Sequence, residues 1–267
     1  MTNGSILDMG FHDLLGGMGA GLAGGFTSGL LGVSPGGGLV VFAVLLLGAE
    51  QHVAQGISLV AQIPPTSLSG IKRYWQKGSR SPMRWLVLLT IGFLAGGVAG
   101  ALAATSVSSS ILQWTYVGYL VALDAMLIQR GRQTKAACEQ AGMTRDLHWA
   151  ALLTVGLFAG LSSGFLGIGG GLATVVGLSA VLGVPQHQAQ MISLVLSLIP
   201  TTIPPAWIYW SSGSLASWPT LAGVILGLVV GTDLGAWAAN KIDRAALQAT
   251  LIFFVSLMAI YMTLRAL

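Results

Sequence analysis

Ten apolar stretches, parted by short polar or glycine-rich breaks, run along the chain at about 11–33, 37–48, 53–71, 85–104, 111–129, 147–168, 170–183, 188–209, 219–239 and 246–266. Most are near the length of about 20 residues that carries a helix across about 30 Å of hydrocarbon. Two, 37–48 and 170–183, are too short to cross upright, and each follows a glycine-rich break. The pattern predicts an all-α polytopic membrane protein with half-length or broken helices after the two breaks, whether those short pieces cross or re-enter.

A shift of 135 residues lays the chain on itself. Residues 48–79, GAEQHVAQGISLVAQIPPTSLSGIKRYWQKGS, fall on 183–214, GVPQHQAQMISLVLSLIPTTIPPAWIYWSSGS, with fifteen of 32 positions identical and no gap. The same shift lays GLLGVSPG (29–36) on GFLGIGGG (164–171), and Gly92, Gly96 and Gly100 on Gly227, Gly231 and Gly235. Glycine abundance alone does not pair Gln-His with Gln-His and Tyr-Trp with Tyr-Trp, so the chain reads as a duplicated half. Charge then orients the halves. The 72–84 loop holds Lys72, Arg73, Lys77, Arg80 and Arg84, whereas its partner at 207–219 holds none; 105–110 holds none, whereas 240–245 holds Lys241 and Arg244. Positive charge marks the cytoplasmic side, so opposite bias in equivalent loops predicts inverted halves with an odd number of crossings each, five if the short segments are counted. The expected organisation is a first inverted repeat at 1–129, a cytoplasmic linker at 130–146 and a second repeat at 147–267. Both termini lie outside, in a bacterial inner membrane, with Arg265 the one basic residue on that side.

Composition narrows the classes further. Charged residues are 7% of the chain and apolar residues 54%, against about 25% charged in soluble domains. The net charge of +4 is accounted for by loop bias and lies on no soluble unit that could serve nucleic acid. Cys138 is the one cysteine and forms no internal disulfide. The start of the chain lacks the basic region of a secretory signal and carries Asp8 and Asp13.

Four constellations are candidates for chemistry. The glycine breaks place Gly36, Gly37 and Gly38, and Gly169, Gly170 and Gly171, at the start of the next helices. Free amides there suit an anion, and broken helices at membrane depth belong where they line a cavity; tight packing is the plainer alternative. Gln51, His52, Gln55 and Ser58 recur as Gln186, His187, Gln190 and Ser193. The i, i+4, i+7 spacing sets the Gln and Ser side chains on one face, as substrate contacts or as glue between helices. Pro65-Thr66 and Pro200-Thr201 predict a second break in each half, facing the first, or a simple kink. Asp233, between Gly231 and Gly235, is expected to face a helix or cavity and is the candidate carrier of a coupling proton; Asp124 reads as structural. Tyr74-Trp75 and Tyr209-Trp210 read as interfacial anchors. Two histidines without nearby cysteine or paired acids make a thin ligand set, so neither a metal nor a cofactor is expected. No nucleotide loop, HExxH or GxSG serine motif is present, which points away from an enzyme.

The blocks GLSSGFLGIGGG (160–171), HQAQMISL (187–194) and PTTIPP (200–205), with weaker copies in the first half, resemble the TauE/SafE family of membrane permeases across nearly the whole chain. The resemblance implies transport of a small anion, sulfite or an organosulfonate, usually as export and driven by the proton gradient. Ser34-Pro35 stand where the second half has Gly169-Gly170, so the first half departs from the pattern. The alternatives are an anion channel and a membrane subunit that transports nothing.

Overall fold

A computed structural model describes residues 3–31, 34–64, 82–133, 147–184, 186–239, 241 and 244–266. Pro65, Thr66, the basic stretch from Lys72 to Arg80, Tyr74-Trp75, Cys138 and Arg145 lie outside them. So do the side chains of Asp124, Gln186, His187 and Gln190.

The described residues are helical. α1 (Asn3–Leu31), α2 (Gly36–Leu46), α3 (Gln51–Ala61), α4 (Met83–Ser106) and α5 (Ser109–Gln133) form the first half. The second half holds α6 (Trp149–Leu166), α7 (Gly171–Val176) closed by a π-turn at Gly177–Val181, α8 (Gln186–Leu198), α9 (Ile203–Ser211), α10 (Trp218–Ala239) and α11 (Arg244–Ala266). Helices α2, α3, α4 and α5 begin 135 residues before α7, α8, α10 and α11, so the sequence repeat is a repeat of elements. Among the described residues, α4, α6 and α10 are long and apolar enough to cross a membrane. α2 and α3 have 11 residues each, about 16 Å of helix, and neither crosses alone. The stretch read as one segment at 188–209 is two helices, because Pro200 has no amide to carry the ladder forward and the chain turns over 199–202.

Most helical glycines sit in two seams. α1 packs along α10 in parallel, with Gly17, Gly21, Gly25 and Gly29 against Thr220, Val224, Leu228 and Thr232, and with Gly223, Gly227, Gly231 and Gly235 against Leu14, Met18, Leu22 and Phe26. α4 packs along α6 in the same way through Gly92, Gly96 and Gly100 and through Gly156, Gly160 and Gly164. A Cβ on Gly21 would lie 2.1 Å from the Val224 carbonyl oxygen, and one on Gly160 would lie 2.1 Å from that of Phe93. Without hydrophobic drive between helices in lipid, such backbone approach is a main source of association. Each seam joins the first helix of one half to a late helix of the other, so the halves are interlocked. The cores between them are apolar: Leu39, Val40, Ala54, Ile57, Leu120 and Met262 around α2 and α3, and Leu89, Leu152, Leu178 and Ile192 around α7 and α8.

Candidate functional site

The two glycine breaks meet. A side chain on Gly36 would collide with the backbone of Ile168, and one on Gly169 would meet Ser34 Oγ and Gln62 Oε1. Ser34 and Gly169 are equivalent under the 135-residue shift, and contact between equivalents puts the relation between the halves at the breaks themselves. The second-half break turns through left-handed backbone at Gly167 (φ 70), Gly169 (φ 75) and Gly170 (φ 60), conformations that L-residues with a Cβ rarely hold. The first-half break instead enters α2 through Pro35 at φ −68. There Ser34 supplies a hydroxyl where the other half has only backbone.

A polar chain ties the junction together. Ser34 Oγ donates to Gln62 Oε1 at 2.7 Å, and Gln62 Nε2 donates to Ser58 O at 2.9 Å and Ser58 Oγ at 3.1 Å. Ser58 Oγ donates to Gly167 O at 2.6 Å, an orphan carbonyl past the end of α6. Ser193, the equivalent of Ser58, donates to Gly171 O at 3.0 Å, and Ser197, the equivalent of Gln62, donates to Ser193 O at 3.0 Å. One half therefore places an amide where the other places a hydroxyl.

Beside this chain is a small cavity of about 20 Å³, lined by Gln62, Phe93, Gly169, Gly170, Gly171, Thr174, Ser193, Leu196, Ser197, Ile199, Thr201 and Thr202. That is room for a water or two; a larger solute requires the walls to part. Its lining has no charged side chain. Thr174 donates to Gly170 O at 2.9 Å. With Ser193 and Ser197 likewise spent on carbonyls, three hydroxyls offer lone pairs rather than protons to the cavity. The donors left include the hydroxyls of Thr201 and Thr202, the latter buried without a partner, and the first amides of α7, whose N-cap Gly170 makes no side-chain cap bond.

The structure thus brings Gly169, Gly170, Gly171, Ser193 and Thr201 to one cavity, with Gly36 and Ser58 in the wall behind it. Pro200 lies at the same turn but is exposed. The carbonyl of Gly37 accepts from the Tyr116 hydroxyl, and Gly38 lies against Thr27 Oγ1. Gln51 and Gln55 are buried further along the α3 face. His52 serves elsewhere. Its Nε2 lies 3.0 Å from Ala104 O, which can only accept, so Nε2 carries a proton, and Nδ1 lies 2.9 Å from Ser109 Oγ. It clamps α3 to the α4–α5 turn.

Two expectations are corrected. Tyr209 is no interfacial anchor: it is fully buried and bonds Gln55 Oε1 at 2.7 Å and Gly164 O at 3.1 Å, while its neighbour Trp210 is exposed. Among the described residues, Asp233 faces no helix or cavity. Gly231 and Gly235 point into the α1 seam, and two residues of helix turn about 200°, which carries Asp233 to the exposed side of α10. Gln62 was not among the expected contacts, yet 51, 55, 58 and 62 continue one helical face. That spacing is the signal for it.

The chain matches the family described as Sulfite exporter TauE/SafE across residues 17–262. It is 29% identical to a protein of Xylella fastidiosa strain 9a5c named "Probable membrane transporter protein". It is 28% identical to a protein of the same name in strain Temecula1 / ATCC 700964. Each match covers 91% of this chain and 92% of the relative.

Proposed function

The chain belongs to the sulfite exporter TauE/SafE family and is a membrane transporter, and from that premise we propose that it exports sulfite or a small organosulfonate across the bacterial inner membrane. The proposed mechanism is alternating access between two inverted halves that rock about the junction of the glycine breaks. The observation that carries this reading is the contact between the equivalent residues Ser34 and Gly169 beside an uncharged polar cavity.

The chemistry fits a carrier. A small oxyanion in this cavity meets backbone amides at the start of α7, the Thr202 hydroxyl and, after rotation, the hydroxyls of Ser193, Ser197 and Thr174. Such neutral donors hold an anion by dipoles. A buried lysine or arginine would hold it more tightly and release it more slowly, and a carrier must release what it binds. The occluded volume fits one stage of a cycle in which the cavity opens to each side in turn.

Purified protein in detergent, titrated with sulfite and with short alkanesulfonates, tests the substrate class. Ligand that binds only the folded state raises the unfolding temperature. A concentration-dependent rise, with counterflow of labelled sulfite in proteoliposomes, is the expected result. Neither shift nor flux with any member of the class overturns it. Flux that persists unchanged when the proton gradient is collapsed favours a channel over a coupled carrier.

A further inference from the structure

Beyond the cavity, α3 carries a second polar feature that the junction does not use. Gln51 is 4% exposed and Gln55 is fully buried. Both polar atoms of the Gln51 amide lack a hydrogen-bond partner, and so does Gln55 Nε2. The orientation of the Gln55 amide does not remove the problem. Tyr209 has one hydroxyl proton and two neighbours within bonding distance, Gln55 and the carbonyl of Gly164. Gly164 O accepts only, so the amide either accepts from Tyr209 or turns over and donates to it. Each choice leaves one polar atom of Gln55 buried and unpaired. An unpaired buried amide is costly, and folded proteins relieve that cost with ordered water.

These amides are in line. Gln51, Gln55, Ser58 and Gln62 lie at i, i+4, i+7 and i+11 on a helix whose adjoining flank, about 90° round, puts Ala54, Ile57 and Ala61 in the apolar core. The line starts at the exposed N-cap Glu50 and ends, about 16 Å further on, at Gln62 in the cavity wall. At its outer end Arg265 donates to Val44 O at 2.6 Å and to Ala49 O at 3.5 Å. Both are neutral acceptors, so they leave its charge in place at the mouth.

We infer that the Gln51–Gln55–Ser58–Gln62 face of α3 is a water-filled half-path joining the cavity to the membrane surface that carries Glu50 and Arg265, the outer surface in the proposed topology. Its occupants are water and, resting on the transport reading above, a small hydrated oxyanion whose oxygens pass from amide to amide. The arrangement is one-sided: the path belongs to the first half, while the cavity is lined mostly by the second.

Cysteine accessibility tests it. Gln51→Cys, Gln55→Cys and the core control Ile57→Cys are each made in Cys138→Ser protein, reconstituted, and exposed from the outside to an anionic, membrane-impermeant methanethiosulfonate reagent. Packed cores hold few voids larger than water, so the two path positions are expected to react at least about tenfold faster than Ile57→Cys. Labelling of neither, of Gln51→Cys alone, or only from the inner side overturns the inference. If the variants do not fold, hydroxyl-radical footprinting of the unaltered protein is the second measurement. Oxidation of buried Tyr209 is expected, and an unmodified Tyr209 overturns the path. The substrate reading fails separately: labelling that a short alkanesulfonate, which does not consume the reagent, fails to slow leaves the path standing and counts against the sulfonate class.

Discussion

Gln62 joins the two halves at the scale of a single side chain. Its Oε1 accepts a hydrogen bond from Ser34 on one break, and its Nε2 donates to Ser58, which in turn donates to the carbonyl of Gly167 on the other. Gln62→Leu keeps the volume and removes the bonds of Gln62 to Ser34 and Ser58, leaving Ser34 without its acceptor while the Ser58 bond to Gly167 stays. The expected loss is about 1–3 kcal/mol of stability, read as a lower unfolding temperature, together with loss of sulfite flux in protein that still purifies as a single species. Full flux in Gln62→Leu protein would remove it from the machinery. Gly169→Ala acts through the backbone. Position 169 has φ 75, and a Cβ there would lie 1.8 Å from Gln62 Oε1. Left-handed strain of about 1–2 kcal/mol adds to that collision, so Gly169→Ala is expected to unfold at a lower temperature than Gln62→Leu. The residues of this junction were legible in unequal measure. Gln62 follows from the helical spacing that already marks Gln51, Gln55 and Ser58. The contact of Ser34 with Gly169 does not, because it arises between halves 135 residues apart and leaves no local periodicity.

At the scale of elements, the glycines divide by what a methyl group would meet. On α1, Gly21 faces the α10 backbone at 2.1 Å, whereas Gly19 has nothing within 4 Å. Gly21→Leu is expected to cost about 3 kcal/mol or more through overpacking, and size-exclusion profiles should show the folded peak lost. Gly19→Ala is expected to be neutral or to stabilise by up to about 1 kcal/mol, since alanine is the better helix former. Equal behaviour of the two would mean that α1 does not pack as described. The four-residue spacing of Gly17, Gly21, Gly25 and Gly29, and of Gly223, Gly227, Gly231 and Gly235, is visible in the sequence and signals close helix contact. The identity of the partner is not, since any two such stripes are mutually compatible. Boundaries suffered similarly: proline splits 188–209 into α8 and α9, which hydropathy alone reads as one span.

For the whole molecule, the question is the direction of the halves. α1 runs against α2, with Gly16 by Leu47 and Gly24 by Leu39. α3 runs back along α2, returning Ser58 to Gly36. α5 starts beside the start of α3, where Ser109 meets His52, and brings Tyr116 to Gly37 at the start of α2; it therefore runs with α3. α11 ends beside the end of α2, where Arg265 reaches Val44. The opposite charge bias of the equivalent loops predicts that α5 and α11, equivalent under the repeat, point opposite ways. The consequence is testable in a membrane. With Cys138 replaced by serine, single cysteines at Gln76 and Ser212, on either side of the two equivalent loops, are expected to react with an impermeant maleimide from opposite faces, Gln76→Cys from the cytoplasm and Ser212→Cys from outside. Permeabilised cells give the total for each and remove differences in intrinsic reactivity. Labelling of both positions from the same side would make the halves parallel. The glycine junction would then relate them about an axis along the membrane normal, and a rocking exchange between two inverted halves would lose its basis.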